Sequence, residues 1–396
     1  MRRIATAALA LAFATVGGGT AATRSSNCPR DARLGALAFV RGGSLRVVDL
    51  ATCKVRVLVG QGVQPPVRWS HDGRWIAFGE AGVVRASGGR VLRPIGSVRA
   101  WTWSPTRDLL AGVSPSGRVV TWVPHRPRQR LATGFERTFS LAFDPSGRWL
   151  ALERDAPSEL WLVNAATRRQ IRLARFSPRY AGLMVAGWFP AGRRVLFWGP
   201  YQGESIAADG TSLKTISAGG GRPTSIAFML RYSDFMAWCG TRLVVAAGFD
   251  RYATRGKRLV AAAPPAWRPR PLVGGRRTSW ISPACSSDGV TVAAAAGRNF
   301  EEPRFGQEHR SIWRLGSGGA NPRRLTRPPV GVTDEQPRWA RDGRSILFVR
   351  THDSFGRLYL VRLNGSLVGP ITDLGTTGNY YGHYGWADQT DWYQPR

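Results

Sequence analysis

At 396 residues, 43% of them hydrophobic, the chain is long enough to bury a substantial core, and length alone suggests two or three domains unless repeats override it. Only 20% of residues are charged while Gly (47), Pro (26) and Trp (16) are plentiful, which argues against long helices and for many short strands and turns. The formal charge is +31, and only three of the 56 basic residues are lysines, Lys54, Lys214 and Lys257. That arginine skew is typical of GC-rich coding and weakens the reading of any single arginine. The field still attracts polyanions such as nucleic acid, anionic envelope polymers and acidic lipid.

In chain order the first feature is "MRRIATAALALAFATVGGGTAAT". Arg2 and Arg3, an apolar run from Ile4 to Val16 and a small-residue stretch make a secretory signal, residues 1–22, cleaved after Ala22. The run is short for a membrane span, which needs about 20 apolar residues, so an uncleaved anchor is the lesser reading. Residues 23–33 form an N-terminal segment, and residues 34–396 a single domain. Export is expected, placing the protein in the periplasm, at the cell wall or in the medium.

The domain is repetitive. "WSHDGRWIAF" (69–78) is followed by "WSPTRDLLAG" (103–112), "FDPSGRWLAL" (143–152), "WFPAGRRVLF" (188–197), "WCGTRLVVAA" (238–247), "CSSDGVTVAA" (285–294) and "WARDGRSILF" (339–348). A worn copy is "WADQTDWYQ" (386–394). The spacing of 34 to 54 residues suits propeller blades. In most copies an aromatic residue ends a first strand, a glycine supplies the positive φ of a tight turn, and an apolar second strand follows. Third strands such as "SELWLVN" (158–164) and fourth strands such as "VLRPI" (91–95) complete four strands per unit, which predicts an all-β fold, a β-propeller.

The pattern of aromatic, Ser or Asp, Pro, Asp-Gly, Arg and "IAF", with a later "lyLV" strand, resembles the TolB-like (WD-repeat-like) propeller repeats of exported bacterial proteins across residues 34–394. That resemblance implies a propeller used for binding and names no ligand. TolB is regarded as six-bladed, so blade number is read from this sequence: eight, with seven the alternative because residues 217–240 are irregular. The first unit lacks a first strand and the C-terminus supplies one, so pairing of N- and C-terminal strands should close the ring.

Four cysteines allow three pairings, or four free thiols. Position in the repeats favours Cys239 with Cys285, at the first hairpins of adjacent units, and Cys28 with Cys53, flanking the first unit. The chain carries no Gly-x-Ser-x-Gly elbow, phosphate-binding loop or HExxH, and its cysteine spacing does not suit zinc. No catalytic residue, metal or cofactor is therefore expected. The acidic "GRNFEEPRFGQEHRS" (297–311), with Glu301, Glu302, Glu308 and His309, reads as a solvated loop paired to Arg298, Arg304 and Arg310 rather than a metal site. The C-terminal aromatics Tyr380, Tyr381, Tyr384, Trp386, Trp392 and Tyr393 read as the core face of the closing strand, with sugar stacking as the alternative.

The second-to-third-strand loops share one face and are long in four consecutive units: 199–210, 248–257, 297–310 and 350–357. Elaborated loops on a rigid scaffold tend to carry function. The expected binding face therefore includes Arg251, Tyr252, Phe305, His309, Asp353 and Phe355, on a monomer that binds a protein or an anionic envelope component. Nucleic acid is not the expected partner. The alternatives are a lyase or hydrolase site in the central channel, and binding of polyanions through net charge alone.

Overall fold

Three of the repeats open on a turn that their own side chains close. Asp72, Asp288 and Asp342 each accept, through Oδ1, the backbone N–H two residues on (Arg74, Val290 and Arg344, at 2.8–3.0 Å). The glycine between them stands at φ +64° to +72°, where a side chain would be strained. The second strand beyond the turn is buried on both faces; Trp75–Phe78 is buried throughout. These two local features, repeated, build the fold.

The computed structural model describes residues 28–155, 157–177, 182–199, 210–299 and 308–395. The expected signal (1–22), Glu301, Glu302, Phe305 and all but the ends of the 199–210 loop lie outside these residues. Eight antiparallel sheets follow one another as blades. The inner strands of blades 1 to 8 are Thr390–Tyr393, Val67–Trp69, Ala100–Trp103, Leu141–Phe143, Met184–Trp188, Met236–Cys239, Thr278–Cys285 and Val332–Trp339. Seven blades have four strands. Blade 2 has three, and the fourth expected at 91–95 is reduced to a single bridge between Val83 and Leu92. The irregular stretch at 217–240 resolves into the outer strand of blade 5 (Thr224–Met229), a 3-10 turn (Ser233–Phe235) and the inner strand of blade 6. Eight blades, not seven, is the outcome.

The ring closes through blade 1. Its inner strand, Thr390–Tyr393, pairs antiparallel with Ala36–Arg41, from Phe39 opposite Thr390 to Ala36 opposite Tyr393. In three of the repeats the tryptophan has a second task besides packing. The indole N–H of Trp69 donates to Asp391 O (3.0 Å), that of Trp188 to Ala142 O (2.9 Å) and that of Trp339 to Ala284 O (3.1 Å). Each acceptor lies on the inner strand of the preceding blade, so the anchor clasps one blade to the next. Both disulfides pair as their positions in the repeats suggest: Cys28–Cys53 (Cα–Cα 5.8 Å) and Cys239–Cys285 (5.3 Å), the second joining the inner strands of blades 6 and 7. Among the described residues no helix is long and apolar enough to cross a membrane.

Candidate functional site

The connections between second and third strands, and those leading from one blade's outer strand to the next blade's inner strand, emerge on the same face of the ring. Four of the seven most exposed large apolar side chains among the described residues lie in those connections: Phe139, Phe249, Val330 and Tyr380. On this face the chain between blade 8 and the closing strand, residues 377–389, folds into a cap. Asn379–Tyr380 pairs with His383–Tyr384, the turn between them places Tyr381 and Gly382 at positive φ, and a short helix, Trp386–Gln389, follows. The C-terminal aromatics therefore divide. Trp392 and Tyr393 belong to the closing strand, whereas Tyr380, Tyr381, Tyr384 and Trp386 belong to the cap, contrary to the expectation of a single core face.

The cap is held by buried charge. Glu308, itself buried, accepts from Asn379 Nδ2 (3.1 Å) and from the Tyr384 hydroxyl (3.2 Å). Arg310, also buried, donates to the Glu335 carboxylate and to the Gly382 carbonyl. Burial pushes the Glu335 carboxyl above its ordinary range, against the pull of Arg310. The 297–311 stretch is thus not wholly a solvated loop with its own ion pairs: Arg310 pairs across to blade 8. Among the described residues no group of three or more His, Cys, Asp or Glu is arranged to hold a metal ion.

Deeper in the mouth of the channel, the ring converges on Asp234. Its Oδ2 accepts from Ser282 Oγ (2.8 Å) and Gln336 Nε2 (3.4 Å), and both its oxygens lie 3.1 Å from His383 Nε2. Burial drives the Asp234 carboxyl upward, but His383 and the Ser282 hydroxyl outweigh it and leave it below the ordinary range. The His383 ring stacks on Tyr232 (3.7 Å, 13°) and meets Phe235 edge-on (5.3 Å, 77°). Ser282 and Gln336 reach Asp234 because the inner strands of blades 7 and 8 bulge there, between Ile281 and Ala284 and between Glu335 and Arg338. Each bulged residue has φ +50° and precedes a proline. Proline is tolerated because an inner strand is a sheet edge.

Across the channel, Glu153 is fully buried. It accepts from the backbone N–H of Phe139 (2.5 Å) and Ser140 (2.8 Å) and from Ser140 Oγ (2.5 Å). Burial nevertheless raises its pKa to about 7.

Arg251 and Tyr252 lie against the cap, both on the Tyr381 ring (5.5 and 5.3 Å). Their loop is pinned by buried Lys257, whose ammonium donates to the carbonyls of Asp250 and Arg255; burial brings the Lys257 pKa down to about 8. His309 is exposed, with Nδ1 3.1 Å from Val332 O. Asp353 and Phe355 are not on a long loop. Strands Ser345–His352 and Phe355–Arg362 run up to a two-residue turn in which Asp353 and Ser354 both have positive φ, so the expected 350–357 loop is a tight hairpin. That turn still meets the cap, through Thr377 N donating to Ser354 O (3.0 Å). Of the described candidates, Arg251 and Tyr252 touch the cap directly, an element the sequence reading had not recognised as separate. The missed residues are Asp234, His383, Ser282, Gln336 and Glu335. Only Pro283 and Pro337, prolines inside strands, signalled them, as marks of bulges.

No protein-family model matches the chain, and no curated protein matches its sequence. Solved structures do resemble it. Dihydro-heme d1 dehydrogenase NirN in complex with DHE is 15% identical over 90% of this chain and 78% of that one, with a TM-score of 0.60. The dipeptidyl peptidase 4 of Porphyromonas gingivalis is 12% identical over 87% of this chain and 59% of its own, with a TM-score of 0.54. TolB proteins are among the similar structures; that of Acinetobacter baumannii is 11% identical over 85% of this chain and 63% of its own, with a TM-score of 0.40. At these identities the likeness is one of fold.

Proposed function

We propose that the chain is a non-catalytic, exported propeller that docks a protein or an anionic envelope component on the cap face of blades 6 to 8, as a monomer. One observation carries this reading: Phe249 is 78% exposed on a loop that buried Lys257 holds in place. It stacks on Phe228 (4.6 Å), and the same loop packs Arg251 and Tyr252 on Tyr381 of the cap. An aromatic and arginine patch on a rigid support is the chemistry of interface hot spots. The two disulfides support an oxidising compartment, hence export. The resemblance to TolB-like repeats supports binding rather than catalysis.

A second reading, an enzyme in the channel, draws on Glu153, which retains its proton to about pH 7, and on the peptidase among the similar folds. Against it, Glu153 has no exposed surface, and its oxygens are engaged by Phe139 and Ser140.

The test is capture from envelope extract by the chain lacking residues 1–22, at low and high salt, beside the double variant Phe249→Ala, Tyr380→Ala. The reading expects a partner that survives high salt and is lost with the variant. Capture only of polyanions, salt-sensitive and equal for both forms, would show that net charge accounts for all binding.

A further inference from the structure

The Asp234 cluster has two halves of different origin. The receiving half belongs to the ring: Tyr232, Asp234 and Phe235 lead into blade 6, Ser282 is on blade 7 and Gln336 on blade 8. The entering half is one side chain, His383, delivered by the cap. Its setting is that of a bound ligand, with an aromatic wall parallel to its plane, a second ring against its edge and a carboxylate facing its Nε2.

The receiving half is more elaborate than an imidazole needs. A single Nε2–H meets a carboxylate that two bulges already orient. Backbone at φ +50° in residues other than glycine is retained where the surroundings enforce it, and such strain gathers at ligand sites. Two polar atoms of this half, Gln336 Oε1 and the Tyr232 hydroxyl, are buried without a hydrogen-bond partner among the described residues. Gln336 is 5% exposed, and its Nε2 is turned to Asp234. An acceptor left over beside a carboxylate calls for a guest with more donors than imidazole has. A guanidinium fits: it is planar, stacks on aromatic faces, and carries five N–H donors that can serve both carboxylate oxygens and a neighbouring carbonyl.

The geometry points to a guanidinium-binding slot at the channel mouth, built by Tyr232, Asp234, Phe235 and Gln336 and occupied in the resting protein by the chain's own His383. A partner's arginine side chain enters by displacing His383. Two parallel N–H bonds then form to Asp234, and a third goes to Gln336 Oε1, with the plane on Tyr232. The cap can yield its histidine without opening the ring, because its other ties, to Glu308, Arg310 and Thr351, are separate from Asp234. This deepens the docking reading of the same face and rests on it only for the arginine's being part of a partner protein. The slot itself is tested with a small probe, so slot and docking can fail independently.

The probe is agmatine, a guanidinium on an alkyl chain, titrated calorimetrically into the unmodified protein, His383→Ala and the double variant Asp234→Asn, His383→Ala, with amylamine as an ammonium control. His383→Ala should bind agmatine at least about tenfold more tightly than the unmodified protein, and the double variant should lose that binding, as expected when a buried charged partner is removed. In the unmodified protein, saturating agmatine should move the His383 ring resonances toward those of an exposed histidine. A folded His383→Ala that ignores agmatine, or binds amylamine equally well, overturns the proposal. Should His383→Ala not fold, unmoved His383 resonances in the unmodified protein overturn it as well.

Discussion

At Glu153 a carboxyl with no exposed surface still offers its oxygens to two backbone N–H groups and a serine hydroxyl. Burial wins, and the pKa rises from 4.5 to about 7. The native state therefore keeps the proton longer than the unfolded chain does. The stability this brings is complete below about pH 4.5 and is lost as pH rises to about 7, a change of about 3 kcal/mol at roughly 1.4 kcal/mol per unit. Glu153→Gln keeps an acceptor for the two N–H groups and cannot ionise. Urea unfolding at pH 5 and pH 8 should show the unmodified protein losing about 2.5 kcal/mol relative to the variant; an equal difference at both pH values would refute the assignment. Residues of this kind were the least legible in the sequence. The cysteines could be paired because Cys53, Cys239 and Cys285 sit at recognisable places in the repeats and Cys28 directly precedes the first one. His383 and Asp234 are 149 positions apart, and neither occupies a repeated position, so no local pattern joins them.

Hairpins were the legible elements, because one aspartate, one glycine and an apolar run fix them within ten residues. Elements whose extent depends on neighbours were not. The outer strand of blade 2 fades to a single bridge, and Ser345–His352 and Phe355–Arg362 run further than their apolar cores imply, leaving only Asp353 and Ser354 as the turn. Two-residue turns with both φ positive are the form that matches strand twist, and Asp there suits them. The repeated tryptophan was legible as packing but not as a donor. Trp339→Phe keeps most of the buried ring and removes the bond to Ala284 O that ties blade 8 to blade 7. It should cost about 1–2 kcal/mol in denaturant unfolding with little change in slope. No measurable loss would mean the indole contributes packing alone.

For the whole molecule, the decisive contact is between its two ends. Thr390–Tyr393 completes blade 1, Arg68 holds Asp388 (2.9 Å), Trp69 N–H donates to Asp391 Oδ2 (2.7 Å) and Arg338 donates to Thr390 (3.0 Å), tying the last strand to blades 1, 2 and 8 at once. A chain stopped at Gln389 keeps every turn and seven inner strands, yet uncovers the edge of Ala36–Arg41. In calorimetry the full chain should unfold in one cooperative transition and the shortened chain in a broadened or divided one; the same transition for both would mean that the ring does not depend on this seam. Closure was legible because the first repeat lacked a strand and the last had one to spare. The same seam sets a clock. A chain that leaves the ribosome or crosses a membrane from its N-terminus can raise blades 2 to 8 in turn, each on the one before. Blade 1 emerges first and is finished last, its open edge waiting through the passage of nearly the whole polypeptide. The sheet whose strands emerge first is therefore the one most in need of protection in transit, and the Cys28–Cys53 bond, available as soon as residue 53 has emerged, is the one covalent tie it can acquire while it waits.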